Sequence, residues 1–126
     1  MKLLVKKGST SVIQCIYVIS TSDTALTGLT YNSAGLSAYY FRSGDTSATA
    51  ISLANATLGT FTSGGFKEVD ATNLPGLYEV HLPNAVFADG SDYAYLIFKG
   101  ATNMYPVTIE IQLVDAKVFL PFVRVN

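Results

Sequence analysis

Charge is the first thing this sequence has little of. Lys, Arg, Asp and Glu make up 13% of its 126 residues, about half of the roughly 25% found in ordinary globular chains. A solvated monomer normally carries a mixed charged surface. Here the surface must be built from Ser, Thr, Gly, Asn, Tyr and Ala. Such a surface fits a protein whose faces are partly covered by neighbours, by analogy with the loss of charge in interface cores. A polar, uncharged surface left open to water is the alternative. Basic residues are scarce as well. Eight Lys and Arg against nine Asp and Glu leave a formal net charge of −1. Lys6-Lys7 is the only adjacent basic pair, so nothing is concentrated enough to neutralise a nucleic-acid backbone.

Other absences narrow the class further. The single cysteine, Cys15, has no second cysteine to pair with, which favours folding in an intracellular compartment. No run of eighteen apolar residues is present, so no membrane-spanning helix is expected. The apolar run within the first seven residues is three long, too short for the core of a signal peptide. Tryptophan is missing altogether.

What is there reads as strand. Alternating apolar residues, rich in β-branched and aromatic types, are interrupted by turn residues at short intervals. Strands are expected over 3–6, 11–20, 36–42, 48–53, 66–69, 77–82, 93–99 and 106–114. A single helical turn is expected around 84–87. Asn73-Leu74-Pro75-Gly76 reads as a turn. In the last of these strands Val107, Ile109, Ile111 and Leu113 should face inward and Thr108, Glu110 and Gln112 outward. The stretch 11–20 is different, because both of its sides are largely apolar: Val12, Gln14, Ile16 and Val18 on one, Ile13, Cys15, Tyr17 and Ile19 on the other. It should therefore lie centrally or have a covered outer face. Eight or nine short strands at this spacing predict an all-β antiparallel sandwich over residues 1–116, with a small barrel as the alternative.

The C-terminal stretch 117–126 is apolar on both sides and interrupted by Pro121. Left free, it would aggregate. It should form the last strand of the same domain or add to a neighbour's sheet or groove. Val118, Phe119, Phe122 and Val123, together with Ile13 and Tyr17, are thus the expected protein-interface residues.

Catalytic means are few. His81 is the only histidine. It lies in phase with the polar Glu79, which points to a solvent-facing or interface position. Cys15 has no basic neighbour in the sequence to activate it and reads as a buried, inert thiol. Asp89-Gly90-Ser91-Asp92 offers two carboxylates where calcium asks for six to eight oxygens, and a turn explains the same residues. No zinc spacing, phosphate-cradling loop or carboxylate pair is present. No catalytic residue, cofactor or metal is therefore expected. Eight tyrosines and seven phenylalanines make a modest aromatic enrichment. Tyr39, Tyr93 and Tyr95 would make a stacking platform for a sugar if exposed.

Gly76-Leu77-Tyr78-Glu79-Val80 resembles the Gly-x-Tyr-x-apolar start of a late strand in immunoglobulin-like domains, whose tyrosine hydroxyl bonds back to the backbone at a corner. The Asp usual two residues before the Gly is Leu74 here. Residues 25–30, 35–42, 74–83, 99–104 and 106–113 together resemble virion proteins of tailed bacteriophages. The closest broad group is the immunoglobulin-like domain that begins phage baseplate and tail-fibre proteins. That resemblance covers most of residues 8–115 and carries no catalytic signature. It implies an immunoglobulin-like fold and a non-enzymatic structural role in a virion assembled in the host cytoplasm. The implied subunit is an adaptor or decoration protein of the tail, baseplate or capsid, with other virion proteins and copies of itself as partners. A carbohydrate-binding sandwich is the alternative.

Overall fold

The alternation becomes eight strands: β1 (Lys2–Lys6), β2 (Val12–Tyr17), β3 (Ser37–Arg42), β4 (Thr49–Ile51), β5 (Phe66–Asp70), β6 (Leu74–Leu82), β7 (Tyr93–Lys99) and β8 (Val107–Val114). One 3-10 turn, Asn84–Phe87, follows β6. The structure, a computed structural model, describes residues 1–115. The segment 117–126, with Val118, Phe119, Phe122 and Val123, lies outside the described residues.

The strands form a five-stranded sheet in the order β1-β8-β7-β3-β4 and a three-stranded sheet in the order β2-β6-β5, packed face to face. The fold is an immunoglobulin-like β-sandwich. As in that fold, the second strand pairs with the strand that follows the crossing between sheets, and the third pairs with the penultimate one. One pair departs from the expected antiparallel pattern. β1 runs parallel to β8, from Lys2 beside Glu110 to Lys6 beside Val114. A parallel pair needs a long connection, and here the whole domain is the connection.

The core lies where the inner faces meet. Ile109, Ile111 and Leu113 of β8 and Ala94, Leu96 and Phe98 of β7 are buried, as the alternation predicts. Opposite them stand Ile16 and Val18, Tyr78, Val80 and Leu82 of β6, and Phe66 of β5. Phe66 links the sheets, stacking on Tyr78 with ring centres 5.1 Å apart and meeting Phe98 at a tilt at 6.3 Å. Burying each such side chain contributes roughly 1.5–3 kcal/mol.

Three expectations need correction. The stretch 11–20 is strand only over Val12–Tyr17, after which Ile19 and Ser20 make isolated bridges to Ala25 and Met104. It is also an edge strand rather than a central one. Residues 74–76 are strand, not turn. The reversal comes earlier, at residues 71–73, where the Asp70 carboxylate accepts the Thr72 and Asn73 N–H groups at 3.0 Å. Gly76 sits at a φ of +89°, with the Tyr17 ring so close that an added Cβ would meet its Cε1 at 2.7 Å. Finally, Tyr78 lies on β6, in the middle of the three-stranded sheet, and not on the late strand that the resemblance implied. Its hydroxyl does return to the backbone, but to a distant loop. It donates to the Leu26 carbonyl at 2.8 Å and accepts the Leu29 N–H at 3.1 Å.

Burial, ahead of the opposing Leu29 N–H and the added push of Glu68, raises the Tyr78 phenol to about 12. The unfolded chain ionises this group near 10.0. The stabilisation is complete below that value and is lost as pH climbs from 10 towards 12, by roughly 2–3 kcal/mol. Tyr78→Phe should cost about 1–3 kcal/mol in urea unfolding at pH 7, because the Leu29 N–H loses its partner. It should also flatten the alkaline fall in stability relative to the parent chain.

Candidate docking surfaces

The outer face of the five-stranded sheet is where sequence alternation should have put polar groups. The register instead lines up Phe41 beside Tyr95 and Tyr39 beside Ile97, with Tyr93 next along the same face. Tyr93 and Tyr95 are 41% and 44% exposed. Their rings meet edge to face at 5.7 Å, an arrangement that the aromatic quadrupole favours. A shallow groove of about 250 Å³ runs between Tyr39, Phe41, Ala48, Tyr95 and Ile97. Charge stands only around it. The Lys99 ammonium lies over the Tyr39 ring at 5.5 Å. The Tyr95 hydroxyl donates to Glu110 Oε1 at 3.0 Å, a bond that raises the phenol above its ordinary value. Tyr39, Tyr93 and Tyr95 therefore do share one face, and Phe41 and Ile97, which the sequence reading left out, join them. The signal that could have found them is the phase of 37–42 and 93–99, in which both sides of each strand are apolar.

The other sheet is covered in a way the sequence did not disclose. The segment between β4 and β5 crosses the outer face of β6, held by backbone bonds from Gly64 N–H to the His81 carbonyl and from His81 N–H to the Gly65 carbonyl. His81 ends beneath it, 1% exposed, rather than facing solvent. The Phe61 ring stacks on the imidazole at 5.9 Å. Nδ1 accepts the Thr62 N–H at 2.9 Å, and Nε2, carrying the proton, donates to Glu79 Oε1 at 2.8 Å. Gly65 must be glycine here, since a Cβ would stand 2.8 Å from the ring. Burial acts to raise the Glu79 carboxyl, but the Gly59 N–H and His81 outweigh it and hold the group below its usual range. The imidazole beside a carboxylate is thus a latch for the crossing segment. Both of its nitrogens are engaged by protein, and its side chain presents no area to solvent.

Further along the same outer face, Ile13 pairs with His81, Cys15 with Glu79 and Tyr17 with Leu77. Cys15 is half-buried rather than buried. Burial, then the Glu79 charge, pushes its thiol up, away from the thiolate a nucleophile requires. Ile13 is half-buried, and Tyr17 is 51% exposed. The expected cover over this end of β2 is not supplied by the described residues. Tyr17 opens onto a groove of about 330 Å³ shared with Met1, Ile19, Tyr105 and Pro106. Of the acidic loop, Asp92 pairs with Lys7 at 3.3 Å. Among the described residues no three metal-ligating side chains come together.

Among the described residues, two apolar surfaces stand open, one aromatic and broad, one at a strand edge. No family model, curated protein or solved structure matches this chain.

Replacing His81 by Ala removes both latch bonds and leaves a cavity. It should cost about 3 kcal/mol in chemical denaturation and should speed amide exchange at Thr62 and Gly59 before it does so in the core strands. The Cys15 thiol should react with a disulfide reagent at neutral pH more slowly than a free model thiol, and the two rates should converge on unfolding in urea.

Proposed function

We propose that this chain is a non-enzymatic docking subunit, held in a larger assembly by contacts between proteins. The observation that carries the reading is the outer face of the five-stranded sheet. A free sandwich sheet shows alternation between buried and polar residues. Here Tyr39, Phe41, Tyr93, Tyr95 and Ile97 stand together where polar residues belong. Aromatic residues with charge only at the rim are the composition of an interface core. The assembly we propose is a virion of a tailed bacteriophage, with the chain as an adaptor or decoration protein on tail, baseplate or capsid. This rests on the resemblance of residues 8–115 to the immunoglobulin-like domain of baseplate and tail-fibre proteins.

A second reading has its own observation. Tyr93 and Tyr95 are exposed rings with Gln112 and Glu110 opposite them in the register, a combination that suits stacking and hydrogen bonding to a sugar. On a glycan array, binding that Tyr95→Ala removes would favour this carbohydrate-binding reading.

The docking reading is tested on assembled particles. Tyr95→Lys combined with Ile97→Asp should keep the unfolding midpoint close to that of the parent chain. It should lower the particle-bound fraction about tenfold, equivalent to about 1.4 kcal/mol of contact energy. Retention of full binding by this variant would remove the aromatic face from the docking role.

A further inference from the structure

The two sheets have four edges, and three of them are defended. β1 turns Lys2 and Lys6 outward. β4 is only three residues long. β5 carries Lys67, Glu68 and Asp70 and has a register shift against β6. Charge, shortness and irregularity are the usual means by which a sheet refuses a further strand. β2 has none of them. Its sequence, Val-Ile-Gln-Cys-Ile-Tyr, contains no charge, no proline and no glycine, and it pairs regularly with β6 through all six positions.

The hydrogen-bonding side of that edge follows from the register. The Val18 N–H donates to the Gly76 carbonyl at 2.8 Å. In an antiparallel pair the direction of the backbone groups alternates. Val12, Gln14 and Ile16 therefore bond towards β6, and Ile13, Cys15 and Tyr17 turn their N–H and C=O groups to the open side. Two residues beyond Tyr17, the Ile19 carbonyl on that side accepts the Tyr105 N–H at 3.1 Å. Within Ile13, Cys15 and Tyr17 the one contact to these edge groups among the described residues is a long 3.3 Å bond from the Gln14 amide to the Cys15 carbonyl. The side chains of Ile13, Cys15 and Tyr17 give the strand its apolar outer side.

The chain itself carries a segment of matching chemistry. Residues 118–125 are Val-Phe-Leu-Pro-Phe-Val-Arg-Val, long enough to lie along the six residues of β2. A strand added at the edge of a sandwich meets apolar groups on both faces, and this one is apolar on both. Pro121 lacks an N–H, which is tolerated on an edge strand when that position faces away from the ladder. An added strand with Pro121 facing away would use Val118, Leu120, Phe122 and Arg124 to bond β2.

We propose that residues 118–125 of one copy add as a strand to the open β2 edge of a second copy. The proposal rests on the reading of this chain as a docking subunit and names its partner. The geometry argues for the second copy over the same chain. β8 ends with the Val114 carbonyl bonded to Lys7, and the turn between β1 and β2 is fastened across by Gly8 to Phe87 and Ser11 to Asn84. A segment returning to its own β2 must pass over that turn and cross roughly 10 Å between sheets. It would then run parallel to β2, the less stable pairing. A segment from a second copy is free to arrive antiparallel. Because donor and acceptor are different parts of the chain, the contact closes as a reciprocal dimer or continues as a ring or filament.

The full chain decides it. Light scattering on the parent protein should give at least twice the monomer mass at micromolar concentration. Leu120→Asp with Phe122→Asp, a donor defect, and Ile13→Lys with Tyr17→Lys, an acceptor defect, should each fall towards the monomer. An isotope-labelled donor-defective chain mixed with unlabelled parent should gain amide-exchange protection at Ile13, Cys15 and Tyr17. Gain from an equal amount of unlabelled acceptor-defective chain should match it, since that chain still carries an intact donor. A monomeric parent chain overturns the proposal. So does association that neither variant weakens, and so does protection in the parent that never transfers to the labelled chain, which would mark pairing within one copy. Particle incorporation of the same variants separates the two levels. Normal incorporation without strand exchange would leave the docking subunit standing and remove only this contact.

Discussion

Everything in this domain hangs on the contact of Phe66 with Tyr78 on one side and Phe98 on the other. Phe66 and Tyr78 belong to neighbouring strands of the three-stranded sheet, and Phe98 belongs to the sheet opposite. The stack therefore fixes both the spacing between the sheets and their relative position. Tyr78 adds direction, because its hydroxyl holds the loop between β2 and β3. That loop carries the chain from one sheet to the other. A single aromatic cluster thus determines where β3 starts, and with it where the face bearing Tyr39 and Phe41 is presented.

Much of this was legible in the residues. The period-two pattern of Val107, Ile109, Ile111 and Leu113 gives both a strand and its buried side, and the structure has it so. The turn around residues 84–87 was equally plain. Legibility failed where a long-range contact overrode a local one. Leu74-Pro75-Gly76 has the composition of a turn, yet the Asp70 carboxylate closes the turn two residues earlier and leaves those residues to extend β6. His81 sits in phase with a polar neighbour and looks exposed. It is buried because a segment some twenty residues earlier in the chain crosses above it, and no local pattern encodes that crossing.

The two-sided apolar stretch at residues 12–18 shows the limit from the other direction. The pattern says that both sides are largely apolar, and in the structure the inner one is buried while Tyr17 on the outer one is 51% exposed. The pattern does not say whether cover comes from a sheet, a loop or another molecule. The loop that covers His81 stops short of Tyr17. Charge scarcity carries the same message at the scale of the whole chain, because the aromatic outer face of the five-stranded sheet occupies positions where charged residues would ordinarily stand. The shortage of charge was visible in composition, and the location of the apolar faces required the register.

The parallel pairing of β1 with β8 also orders events in time. Residues 2–6 are made well before their partners at 110–114, which come more than a hundred residues later. At translation speeds of about 5–20 residues per second, the leading strand waits roughly 5–20 s for its seat to exist. Closure of the five-stranded sheet is consequently a final, topologically distant step of the kind that slows folding. Until it occurs, Leu3 and Val5 have no sheet to lie against. The newborn chain spends that interval with an unsealed margin, the state in which a holding chaperone has the most to do.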